Sequence, residues 1–157
     1  MPDLPIEIAN EEAIVRGICS PYHVSSKGKL KPEAYDPSPA TDEVSVIRHA
    51  YVGSDFCKKK AKELEDREKR KIYQGLAVLS ARQIRSVGSE VVDSRQIFFG
   101  HADIKHGFDL IEGEPLPPEQ ALSLRDRTKK LAKLANYFPD PDPASIPWTG
   151  QKLAANE

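Results

Sequence analysis

The run 75-GLAVLSARQIRSVGSEVV-92 carries three signals in close succession. GLAVL is a short, continuous apolar stretch of strand type. Ser80 with Gln83 three residues on forms a capping box, in which each side chain satisfies a backbone N–H of the other. Ile84 and Val87 then supply a buried face, and Gly88 is placed to end the helix in a left-handed conformation. SEVV reads as the next strand. A strand, a short helix and a strand therefore follow one another, and the crossover is too short to fix the orientation of the pair.

Upstream, 43-EVSVIRHAYV-52 reads as a strand covered on both faces. Neither alternating set, Val44-Val46-Arg48-Ala50 or Ser45-Ile47-His49-Tyr51, is uniformly polar. Asn10 before EEAIVRGI gives an N-cap followed by acidic residues, which predicts a short helix ending near Gly17. PYHV is a brief strand, and SSKGK is turn chemistry. Pro32, Pro37 and Pro39 make the next segment an ordered loop, anchored by Tyr35.

Gly53-Ser54-Asp55 opens a helix to about Lys71, capped by Ser54, with a narrow apolar stripe of Cys57, Ala61 and Leu64. The stretch 96-QIFFGHADIKHG-107 holds another strand, interrupted by a bulge at Gly100. From Pro118 the spacing Ala121, Leu124, Thr128, Leu131, Ala135, Phe138 predicts a long helix that Pro139 ends. These elements make one α+β domain over 1–138. A small mixed sheet of four to five strands packs with the long C-terminal helix and two or three shorter ones. Residues 139–157 form a Pro-rich extended tail.

Charge and composition bound the function. With 23 basic and 24 acidic residues, no global field draws the chain to nucleic acid or membrane. No apolar run is long enough to span a bilayer, and MPDLPIEIANEE lacks the form of a signal peptide. Two cysteines, Cys19 and Cys57, read as small buried hydrophobes in a reducing cytoplasm. GxSxG, P-loop and GxGxxG motifs are absent, and no cofactor is implied.

Four constellations remain. In GHADIKHG, His101, Asp103 and His106 have ligand chemistry. Strand alternation puts His106 on the face opposite the other two, so no metal site is assigned. Arg48, Arg82, Arg85 and Arg95 would converge on a phosphate or carboxylate if their elements are neighbours. Eight basic residues (Lys58, Lys59, Lys60, Lys62, Arg67, Lys69, Arg70, Lys71) are interleaved with Glu63, Glu65, Asp66 and Glu68. That pattern is a solvated helix or, alternatively, a nucleic-acid patch over 58–71. Trp148, with Tyr137 and Phe138, is either an anchor for a protein partner or a cap on the chain's own core.

Two resemblances add to this. His49-Ala50-Tyr51-Val52 and His101-Ala102-Asp103-Ile104 resemble the repeated His-x-Ser/Thr-apolar motif of two-histidine phosphoesterases. That resemblance implies His49 and His101 as general acid and base on a phosphate, with Tyr51 and Asp103 where the family has hydroxyls. The runs LKPEAYDP, DEVSVIR, GLAVLSARQIRSVGSEVV and GHADI resemble a pattern in small uncharacterised bacterial proteins, from about residue 12 to 107. This second resemblance implies a bacterial, cytosolic, single-domain protein whose shared pattern includes Arg48 and His101, and it implies no activity. The expectation is thus a non-catalytic accessory subunit of a multi-protein system, with an anionic ligand on the Arg/His cluster. The alternatives are a small phosphate-directed enzyme using His49 and His101, or a nucleic-acid-binding module.

Overall fold

The computed structural model describes the backbone of residues 3–67 and 70–156, and the side chains of 3–63 and 70–156. Its six strands are β1 (Ala13–Ser20), β2 (Val44–Arg48), β3 (Ile72–Ser80), β4 (Glu90–Asp93), β5 (His101–Lys105) and β6 (Asn136–Pro139). The helices are α1 (His49–Arg67), α2 (Ala81–Ser86) and α3 (Pro118–Leu134), with a 3₁₀ turn at Pro32–Tyr35. One sheet runs β4-β5-β2-β1-β3-β6. Every neighbouring pair in it is antiparallel. The α+β class is as expected. The sheet is larger than the expected four to five strands, and antiparallel rather than mixed.

Two sequence signals were overridden. The predicted helix over 10–17 is replaced by β1, which lies between β2 and β3. Ile14, Val15 and Ile18 are β-branched and fully buried, so a central strand uses them better than a solvated helix. The acidic residues that imitate a helix start make ion pairs instead, described below. At the other end, the helix does not reach Phe138. It stops at Leu134, and Asn136–Pro139 pairs with the outer edge of β3, opposite Leu76, Ala77 and Val78. Covering that apolar edge outweighs another helical turn. Gly75 permits the close approach: a Cβ there would lie 2.9 Å from the Pro139 Cα.

A third difference concerns 43–52. The strand ends at Arg48, and His49 to Val52 form the first turn of α1, before Gly53 at φ 82° kinks the helix. Only a glycine takes that conformation without strain. The capping box of α2 forms as read, with Ser80 Oγ accepting from Gln83 N–H and Gln83 Oε1 from Ser80 N–H. Yet α2 does not join neighbouring strands. It carries the chain across the sheet, and β1, β2 and β5 lie between β3 and β4.

The sheet has a core on each face. Ile14, Val44, Val46, Leu79 and Ile104 meet Ile84 of α2, Leu131 of α3 and Tyr35. Val15, Ile47, Leu76, Val78 and Phe138 meet Cys57 and Ala61 of α1. Leu153 of the C-terminal tail completes this second core. Among the described residues the tail has no strand or helix after Pro139, but it is anchored. Buried Lys58 Nζ reaches the carbonyls of Asp142 (2.8 Å) and Pro147 (3.0 Å) and the Asp140 carboxylate (3.0 Å). Tyr73 donates to the same carboxylate at 2.6 Å.

Candidate functional site

The ladder between β1 and β2 is short. Its register pairs are Ile14↔Arg48 and Val15↔Ile47, and then it stops. Beyond that point β1 continues with β3 and β2 continues with β5. The sheet is therefore split down its middle, and continuing the register would set Arg16 opposite Val46 and then Gly17 opposite Ser45 across the gap.

Arg16 is the residue that fills this gap. Its Nε donates to the Ala34 carbonyl at 2.9 Å, and one terminal nitrogen donates to the Ser45 carbonyl at 3.0 Å. No carboxylate pairs with it among the described residues. Burial lowers its pKa, against smaller opposing effects of Tyr35 and Cys19. The Tyr35 side chain is itself buried, and its hydroxyl has no hydrogen-bond partner among the described residues. A half-buried cation on two neutral carbonyls, next to an orphaned phenol, is an arrangement that an anion completes.

A cleft of about 850 Å3 opens beside Arg16. His23 lines it and is buried, with Nδ1 accepting the Cys19 N–H at 3.0 Å. Burial drives its pKa down to about 3, and Arg16, Lys71 and Lys31 push the same way. The surroundings of His23 are thus positive. Glu33, Asp36 and Glu43 line the same cleft. Burial, then Glu33, raises the Asp36 pKa, with Arg125 opposing.

On the α1 side of the split lies a smaller pocket of about 190 Å3, lined by Gly17, Ser45, Ile47, Lys60, Phe98 and His101 among others. His101 pairs in register with Ile47, so its ring is on the α1 face and turns away from Arg48. Its Nε2 is 2.5 Å from Ser45 Oγ and its Nδ1 is 2.6 Å from Ser94 Oγ. Burial lowers the His101 pKa, although Asp103, Glu43 and the Ser94 backbone pull it up. Phe98 packs edge-on to the ring at 4.8 Å, and Lys60 Nζ sits 4.6 Å above Phe98.

The other residues singled out in the sequence are placed differently. Arg48, Arg82 and Arg85 do converge, but on the chain's own N-terminal segment. Fully buried Arg48 binds Glu12 (2.9 and 2.7 Å), Asp93 (2.7 Å) and the Pro5 carbonyl (2.5 Å). Burial disfavours its charge, but Glu12 and Asp93 outweigh that and raise its pKa. Arg82 binds Glu11 at 3.1 Å, and Arg85 binds Asn10 at 2.7 Å and Glu90 at 2.6 Å. Their anionic partners are internal, so these three do not form an open anion site.

His49 lies on α1, not on a strand, and bonds Ser54 Oγ at 2.9 Å. It shares no hydrogen-bond partner with His101, so the paired-histidine arrangement is not assembled. His106 has both ring nitrogens engaged, with Ser89 Oγ at 2.7 Å and the Tyr35 carbonyl at 2.9 Å. Among the described residues no group of three His, Cys, Asp or Glu converges as a metal site. Cys57 is buried, and its thiol is pushed up to about 12.

Along 58–71, Lys58 is buried, Lys60 pairs with Glu63 at 3.3 Å and Lys62 bonds the Pro143 carbonyl at 2.6 Å. These three therefore do not add to an outward basic stripe. The side chains of Leu64, Glu65, Asp66 and Arg67, and all of Glu68 and Lys69, lie outside the described residues. Trp148 and Phe138 pack into the α1-side core and Tyr137 against the opposite one, so the three form no common outward surface.

Arg16 and Ser45 were not singled out in the sequence, because a lone Arg or Ser on a strand has no spacing signature. Gly17 was the available signal, since glycine within a strand marks a bulge or a close approach. Compared with protein-family models, curated proteins and solved structures, the chain matches none. No helix among the described residues is long and apolar enough to cross a membrane.

Proposed function

We propose that the protein is an accessory subunit of a bacterial, cytoplasmic multi-protein system, and that it binds a small anionic ligand in the cleft between β1 and β2. The carrying observation is Arg16, whose guanidinium opens on the cleft with carbonyl partners and no carboxylate. The orphaned Tyr35 hydroxyl and the positive surroundings of His23 support the same reading. The ligand's phosphate or carboxylate sits on Arg16. Glu33, Asp36 and Glu43, which line the same cleft, select a hydrogen-bond donor or cationic group on the rest of the molecule. The role expected of Arg48, Arg82 and Arg85 thereby passes to Arg16.

Thermal-shift titration with inorganic phosphate at constant ionic strength tests this. Binding to the folded state alone raises Tm with concentration. Phosphate should raise Tm where equal chloride does not, and R16Q should lose the response. An identical response in R16Q would contradict the assignment.

A further inference from the structure

Ser45 and His101 line the small pocket on the α1 side of the split, and buried Ser94 backs the other nitrogen of the His101 ring. We propose that Ser45 is a nucleophile activated by His101, and that the pocket catalyses transfer or hydrolysis of small carboxylic esters. Ser45 is exposed, whereas His101 and Ser94 are buried, so the assembly presents one reactive oxygen on a fixed base.

A neutral imidazole carries one N–H and one lone pair. Nδ1 faces both the Ser94 hydroxyl and the Ser94 backbone. A proton on Nδ1 satisfies that side and leaves the Nε2 lone pair for the Ser45 O–H, 2.5 Å away. This is a nucleophile on a general base, with the base oriented by a third group. Ser94 is the positioning residue. Burial keeps the imidazole neutral near pH 7, as a base must be. Asp103 lies opposite Ser45 in register, on the same sheet face, and stabilises the imidazolium that forms. Arg16, which also lines this pocket, is bonded to the Ser45 carbonyl and fixes the backbone that carries the nucleophile.

In the reaction Ser45 Oγ bonds to the ester carbonyl carbon while its proton passes to His101 Nε2. The carbon–alkoxide bond breaks, and the leaving oxygen takes that proton. Water then attacks the acyl carbon and gives a proton to Nε2. The acyl–Oγ bond breaks, the carboxylic acid leaves and Ser45 recovers its proton. A pocket of about 190 Å3 walled by Ile47 and Phe98 suits a short acyl chain.

The test is covalent labelling of the full-length protein with a neutral alkyl fluorophosphonate, followed by peptide mass spectrometry, with p-nitrophenyl acetate turnover alongside. We expect one adduct, on Ser45. It should vanish in S45A and form at least about 100-fold more slowly in H101Q. Labelling should rise with pH to a plateau, with a midpoint below 6.5, the ordinary histidine value. S94A should keep the Ser45 adduct with an altered midpoint, which a merely structural serine would not produce. Ser45 is exposed, so S45A should stay folded with only its hydrogen bond to His101 lost, and it serves as the control if H101Q does not fold. No adduct, an adduct that persists in S45A, or Ser45 labelling indifferent to both pH and S94A would overturn the proposal. The probe carries no anionic group, so its result is separate from phosphate binding at Arg16.

Discussion

Arg48 on β2 closes on Glu12, thirty-six residues earlier in the chain, through two of its nitrogens at 2.9 and 2.7 Å. The guanidinium is fully buried, and a further bond reaches Asp93 at 2.7 Å. Removing it leaves two carboxylates facing each other with little solvent. R48A should therefore lose about 3–5 kcal/mol of stability in urea denaturation. R48K keeps the charge but not the fork, and should fall between. A loss under about 1 kcal/mol for R48A would mean that the cluster is solvated and that the arginine is free for a ligand.

Lys58 latches the tail. Its ammonium holds Asp140 and the carbonyls of Asp142 and Pro147, and Trp148 N–H bonds Asp55 at 2.8 Å alongside. K58M removes the charge and leaves the Asp140 carboxylate buried with only the Tyr73 hydroxyl and the Asp142 N–H. The tail should then detach locally before the domain unfolds. Trp148 emission should move to longer wavelength, and trypsin should cut after Lys152 at least about tenfold faster, for an opening cost lowered by about 1.4 kcal/mol. Unchanged emission and cleavage in a folded K58M would show that the tail is held by Leu153 and its neighbours alone.

His23 makes stability depend on pH. Its Nδ1 accepts a backbone N–H, which a protonated ring cannot do. The folded pKa is driven from 6.5 to about 3, so between those values the unfolded chain binds the extra proton and the folded chain does not. The contribution is fully present above pH 6.5 and is lost as pH falls towards 3. From pH 7 to 5 that loss is about 2 kcal/mol. H23N offers an amide oxygen to the same N–H and does not titrate. Its urea midpoint should change less than the wild type's over that interval, and equal change in both would assign the acid sensitivity to other groups.

Local signals in the sequence were legible, and the signals decided by distant partners were not. The Ser80–Gln83 box formed because both halves lie within one turn. Tyr35 was recognisable as a loop anchor, and alternation put His101 and Asp103 on one face. By contrast, Asn10, Glu11 and Glu12 carry helix-start chemistry, yet their partners are Arg85, Arg82 and Arg48, far along the chain. Asn136 to Phe138 continue a helical stripe, yet the bare edge of β3 claims them as a strand. The cleft was hidden for the same reason. Where a ladder stops depends on which strands β1 and β2 each prefer, and neither stretch of sequence records that alone.

The most direct test of the cleft is calorimetric titration of the full-length protein with inorganic phosphate at pH 7 and low ionic strength. The expected result is saturable one-to-one binding. It should weaken at least about tenfold in R16Q, weaken less in Y35F, and stay unchanged in R82A, whose arginine already holds Glu11. Absence of binding, or binding that survives R16Q and fails in R82A, would contradict the assignment of Arg16 as the anion-binding residue.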